Sequence, residues 1–373
     1  MALHGAILAF ASLPLTAAIV TWNGDGGDAL VSNGSNWVGG TAAASGSDLS
    51  FATETVNGLG GVLFDTGGTF NAPTVTFTAT APAYTLQAAT GGDVLSITGS
   101  GTALINSSAF RQSSNLITIQ VVTQTWDGGT KGLSISAIDL QNNRTLTLTG
   151  TGTGLNGNEI TQKITGTGTS GIVKTGIGTL TFKNAQANDY TGATTVSGGT
   201  LIMTGANNGT GAFTVDGANS ILQLGAANRI ANGSAITLLN GGMLALANKS
   251  EIVAGLTIGT GGGIIDFGVG AGVNNSLVLA DSRLLSWSGL LTIRNFNAGD
   301  SLTVGTDNGA LTASQLANIK FESGTAAGNG TQSGQISSTG LVTPATPVPE
   351  PGSAMLIGLG LLALAARRRQ SLR

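Results

Sequence analysis

Apolar and polar residues alternate in short runs along most of this chain. Thr145–Thr149 reads T-L-T-L-T, Thr179–Phe182 T-L-T-F, Ala193–Val196 A-T-T-V, Thr200–Met203 T-L-I-M and Leu302–Val304 L-T-V. Period-two alternation rich in β-branched residues marks strands with one buried face. Leu, Phe, Val and Met point one way and Thr the other. Between the runs sit G-G, N-G and G-T-G turns, where glycine or asparagine takes positive φ at little cost. Strands this short, broken this often, predict an all-β chain: a solenoid, a sandwich or a barrel.

Internal similarity separates these. Ser197–Met203 reads S-G-G-T-L-I-M, Asn240–Leu246 N-G-G-M-L-A-L and Thr260–Phe267 T-G-G-G-I-I-D-F. Each is a glycine corner feeding a short apolar strand. The spacings, 43 and 20 residues, predict a right-handed parallel β-helix with coils of about 20 residues. About 15 coils at roughly 4.8 Å would make a rod near 70 Å long. Open coils expose a sheet edge, so both ends need covers. Leu311–Ile319 predicts a short helical cap, with Thr312 and Gln315 as a capping box and Leu311 stapled to Leu316. Trp22 and Trp37 are placed to cover the first coil. Trp126-Asp127-Gly128-Gly129 looks like a shorter version of that opening, which divides the solenoid into 19–125 and 126–323.

The two termini read differently. Residues 1–18 carry an apolar stretch, Ala2–Leu15, followed by Thr16-Ala17-Ala18, and predict a signal peptide cleaved by signal peptidase. No Lys or Arg precedes the apolar core. After a linker at 324–346, residues 347–373 read P-V-P-E-P-G-S, then 13 apolar residues from Ala354 to Ala366, then Arg367, Arg368 and Arg369. The apolar run is about 20 Å long as a helix against a hydrocarbon core of about 30 Å. It predicts a marginal C-terminal transmembrane helix, its arginines snorkelling to the cytoplasmic interface of the inner membrane.

Composition narrows the chemistry. There are 60 glycines, 9 % charged residues and no cysteine. Without disulfides, stability must come from backbone pairing and packing. The tail holds four of the 15 basic residues and one of the 18 acids, which leaves the rest of the chain acidic by about six charges. That excludes a nucleic-acid partner, which needs a basic surface. The one histidine, His4, lies in the predicted signal peptide. Ser-His-Asp and Cys-His catalysis and ordinary zinc sites are therefore excluded from the mature chain. Asn23-Gly24-Asp25-Gly26-Gly27-Asp28 has oxygens spaced like part of a calcium loop but lacks the distal bidentate Glu, so it reads as a turn. Gly150-Thr151-Gly152-Thr153-Gly154 lacks the Gly-Lys-Ser/Thr that a phosphate loop needs. No catalytic, cofactor or metal residue is assigned.

Two segments resemble known families. Pro349, Glu350 and Pro351, the apolar run and Arg367, Arg368 and Arg369 together resemble the PEP-CTERM sorting signal. The resemblance implies processing by an exosortase near Pro349–Gly352 and passage to the outer surface. Gly171–Met203 resembles the autotransporter-associated β-strand repeat, or passenger-associated transport repeat. It matches at Lys174, Gly176, Gly178, Asn188, Tyr190, Gly192, Gly198 and Gly199, among others. It departs at Asp189, where the family usually has Thr. This implies a β-helix at the cell surface. The expected protein is thus an exported, non-enzymatic structural rod, a surface or matrix component in adhesion or biofilm, with exopolysaccharide as a partner. A polysaccharide lyase or hydrolase, or a carbohydrate-binding module, would share the scaffold.

Overall fold

The computed structural model describes residues 17–53, 61–184, 186–206, 209, 211–269, 274–322 and 332–345. Nearly all of signal-peptide region 1–18 and all of the tail 347–373, including the expected transmembrane helix, lie outside the described residues. Among the described residues no helix is long and apolar enough to cross a membrane.

The chain winds as a three-sided parallel β-solenoid. The first face is an 11-stranded sheet running from Ile19–Trp22 to Leu256–Ile258, every neighbour parallel. Each turn then crosses a second face, from Gly61–Phe64 to Ile319–Phe321, and a third. Two long strands, Gln112–Gln120 and Leu133–Leu140, serve the second and third faces together, with a register shift between Ile135 and Ala137 where they bend. The first face stacks eleven strands and the second twelve, so eleven steps of about 4.8 Å make a column of about 53 Å. This is shorter than the 15-coil expectation, because the coils are longer. Paired positions lie 19 residues apart from Thr194 to Phe213 but 29 apart from Ile19 to Asp48. Most of the variation lies in the turns between strands. The 43-residue spacing of glycine corners spans two coils, since Ser220–Leu224 lies between Gly199–Met203 and Gly242–Ala245 on the second face.

The alternation sets the core. Leu146 and Leu148 are buried while their threonine neighbours are not. Parallel, in-register pairing then stacks like positions: Leu180, Leu201, Leu222, Leu244, Ile265 and Ile293 form one buried column on the second face. Burying each such side chain contributes about 1.5–3 kcal/mol. The pairing runs through Trp126, whose strand Gln124–Asp127 bonds Gly101–Asn106 on one side and Thr145–Thr149 on the other.

Both ends are covered. At the start, Trp22 and Trp37 form an antiparallel bridge, their buried rings edge-to-face at 5.1 Å, and both lie over Phe51. Phe51 stacks on Phe77 at 5.1 Å. Asp28 holds the intervening loop, accepting hydrogen bonds from Leu30 N and from the Asn33 and Asn36 amides. At the other end the helix Ala313–Ala317 carries the capping box of Thr312 and Gln315. The Gln315 amide also donates to the Ser282 and Leu285 carbonyls at 2.8 and 2.9 Å, tying the helix to the last coils. The segment read as a linker carries two strands, Gln332–Ile336 and Leu341–Pro344. They pair antiparallel with each other and cover the edges of Ile319–Phe321 and Ser301–Val304. Reversing direction is what lets a parallel ladder stop.

Candidate functional site

The repeat segment forms the corner between the first and second faces. Gly171–Lys174 lies on the first face and Thr179–Phe182 on the second, followed one coil on by Thr194–Val196 and Gly199–Met203. At the corner three coils come within backbone contact. A Cβ on Gly199 (φ +63) would sit 2.2 Å from Gly178 O, and one on Gly176 (φ +70) would sit 2.6 Å from Gly150 O. Side chains are barred there both by conformation and by space. Gly178 and Gly198 occupy the same corner, and Gly192 makes the matching close approach to Ser170. The hydrogen bonds Gly178 N to Gly150 O, Thr179 N to Gly152 O and Thr200 N to Gly178 O run up this seam. Gly150 and Gly152, superficially phosphate-loop glycines, are the rung beneath Gly176 and Gly178.

Lys174 was matched as a motif position, but its role was not legible. It sits at an inward position between Leu148 and Val196, 1 % exposed. Its ammonium donates to Thr175 O at 2.6 Å, Gly176 O at 2.9 Å and, on the next coil, Gly198 O at 2.9 Å. Three donors meet three acceptors, which is the condition for a buried ammonium. Burial lowers its pKa to about 8. Tyr190 is buried too, its hydroxyl 2.6 Å from Thr194 Oγ1; burial pushes its pKa up to about 12. Asn188 accepts from Ile164 N at 2.8 Å. Asp189, the departure from the family pattern, forms an ion pair with Lys163 at 2.6 Å.

Glu251, which the sequence reading missed, is the reverse of Lys174. Fully buried, it accepts from Arg229 N at 2.7 Å, Ile230 N at 3.2 Å and Ile252 N at 3.1 Å. Burial raises its pKa, against those hydrogen bonds. The available signal was a charged residue at an inward place in the alternation, as in G-I-V-K.

Other acids among the described residues are engaged in structure too. Glu159 lies between Arg111, at 2.8 Å, and Lys183, and accepts from Ser134. Burial would raise its pKa, but Lys183, Ser134 and Arg111 together hold it below the usual carboxylate range. Asp93 accepts from Thr90 and from Gly67 N and Gly68 N. Among the described residues no three His, Cys, Asp or Glu side chains are grouped to hold a metal ion.

Residues 172–203 match the passenger-associated transport repeat, and residues 347–369 match the PEP-CTERM protein-sorting motif. The repeat corner and the sorting tail are thus assigned. Pro349, Glu350, Pro351, Arg367, Arg368 and Arg369 all lie within the second match. The sorting motif implies recognition by an exosortase, and with the passenger repeat it implies export to the cell surface. No curated protein and no solved structure matches the chain.

Proposed function

We propose that this protein is a structural rod of the cell surface or extracellular matrix, delivered through the inner membrane after signal-peptidase cleavage and processed by an exosortase, and that it associates with exopolysaccharide in adhesion or biofilm. The observation that carries this reading is the pairing of a sorting motif with a capped β-solenoid in which several charged side chains, Lys174 and Glu251 among them, hold coils together. Lys174, Glu251 and Asp93 clasp backbone groups, and Glu159 clasps two cations. Such groups are poor general acids or bases, because their partners are fixed by the fold. The threonine-rich outer positions of the strands offer hydroxyls along the rod for a hydrated polymer.

Deleting Pro349–Arg373 and fractionating the cells tests the sorting half. The truncated chain should accumulate in the periplasm; its arrival at the surface in unchanged form would refute the reading. Incubating the purified rod with a panel of exopolysaccharides tests the other half. Cosedimentation without new reducing or unsaturated ends is expected. Appearance of such ends would make the chain a polysaccharide-cleaving enzyme instead.

A further inference from the structure

The charge of this rod is unevenly placed along its axis. No Lys or Arg occurs before Arg111, while Asp25, Asp28, Asp48, Glu54, Asp65 and Asp93 all precede it. From Arg111 to Ala345 eleven acids face eleven bases. The whole negative excess therefore belongs to the N-terminal third. The opposite end is capped by two segments without charge of their own, beside which lies the Lys320 ammonium, bonded to Ser333 Oγ at 3.1 Å. Neither the helix segment 310–318 nor the hairpin segment 332–345 contains an acid or a base. The hairpin shows Ser333, Gln335, Ser338 and Thr339 to solvent.

The sorting tail leaves from that capped end on a short lead. Ala345 N donates to Ser333 O at 2.7 Å, so the chain is pinned to the cap up to that residue. Eight residues, hence nine Cα–Cα steps, separate Ala345 from Ala354, where the apolar run begins. Fully extended they reach about 30 Å. About 6 Å of that is used crossing the headgroup layer. The cap then stands no more than about 25 Å above the lipid, roughly half the length of the column.

We propose that, while the tail is attached, the C-terminal cap is the face held against the membrane and the rod stands upright, its acidic N-terminal third directed away from an anionic lipid surface. A rod lying flat would bring the net-negative N-terminal third alongside anionic headgroups, where charges closer than a Debye length, about 8–10 Å, repel. An upright rod places there the hairpin's hydroxyls and amides, with the Lys320 ammonium, which donates to Ser333 Oγ at 3.1 Å, beside them. The cap is thus a membrane-apposed surface, and it presents the Pro349–Pro351 segment to a membrane-embedded protease without unzipping Leu341–Pro344. This rests on the sorting-tail reading.

The test uses the full chain, which has no native cysteine. Single fluorophores are attached at Thr339→Cys, on the cap, or at Ser35→Cys, at the far end. The protein is reconstituted into phosphatidylglycerol-containing vesicles carrying headgroup energy acceptors. Transfer should be several-fold stronger from the cap probe than from the far probe. The difference should shrink in high salt or in vesicles of zwitterionic lipid. A Thr303→Cys/Leu341→Cys disulfide, joining paired positions of the last strands, should leave transfer from the cap unchanged. Equal transfer from both probes, or weak transfer from both, overturns the proposal. So does a loss of cap transfer when the strand is locked. Flotation with the vesicles reads the tail separately: protein that fails to float refutes the tail reading and this proposal with it, whereas floating protein with equal transfer refutes only the orientation.

Discussion

The ammonium of Lys174 and the carbonyl oxygen of Gly198 lie 2.9 Å apart across a coil boundary. The contact joins a side chain of one turn to the backbone of the next inside an otherwise aliphatic column. It works only because Gly198 brings its carbonyl close at the corner. One interaction thereby couples the motif's lysine to its glycines.

Lys174→Met should keep the packing and lose all three hydrogen bonds. Thr175, Gly176 and Gly198 would be left with unpaired carbonyls, at about 1–3 kcal/mol each at most and less where water enters. A loss of about 2–4 kcal/mol is expected from denaturant unfolding followed by far-UV circular dichroism.

The same lysine gives a pH signature. Its pKa falls from about 10.4 unfolded to about 8 folded, so the unfolded state binds more protons between those values. Stability from this group is therefore fully present above about pH 10.4 and is lost as pH falls through about 8. Wild type should gain on Lys174→Met as pH rises from 7 to 9.5. Tyr190, raised to about 12, acts in the opposite sense above about pH 10, which sets the upper limit of the window. A flat difference between the two proteins would show that the ammonium is not desolvated.

Glu251→Ala should remove the acceptor of three buried N–H groups and cost about 2–4 kcal/mol. Its folded pKa is raised, so its contribution is fully present below about pH 4.3, the ordinary glutamate value, and declines as pH rises through the folded value. The gap between wild type and variant should widen on acidification from pH 7. Parallel urea titrations at the two pH values read it.

Gly199→Ala should be costly despite adding one methyl group. The residue sits at φ +63 and its Cβ would meet Gly178 O at 2.2 Å. A loss of about 2–4 kcal/mol is expected, with faster amide exchange at Thr200 and Gly178, whose bonds to the adjacent rungs would lengthen.

Ending the chain after Glu322 should uncover the edges of Ile319–Phe321 and Ser301–Val304, which the hairpin strands cover. Exposed edges pair with other chains. Concentration-dependent self-association, measured by light scattering, is expected of the truncated protein and not of one ending after Ala345.

Much of this architecture was legible because it is local. T-L-T-F gives its buried face by alternation alone, and Thr312 with Gln315 fixes a helix start four residues long in sequence. The paired Trp22 and Trp37 were legible as a cover because large aromatics beside a glycine-rich loop have little else to bury against. The hairpin at 332–345 was not legible. Q-S-G-Q-I and L-V-T-P are weak strand patterns, and their pairing is decided by the open edges they meet. Coil number was misjudged because turn length is set by what fits at each corner. Glu251 carries no local mark of its three N–H partners, since two of them belong to the preceding coil.

The sequence by itself determined the strand period, the glycine corners, the cap helix and the sorting address, since each depends on residues within a few positions of one another. Only the tertiary structure decided which backbone groups Lys174 and Glu251 would clasp, how many rungs the chain makes and how the ladder ends. Those outcomes depend on contacts between successive coils some 19 to 29 residues apart, where the registers of neighbouring turns must agree before any such bond can form.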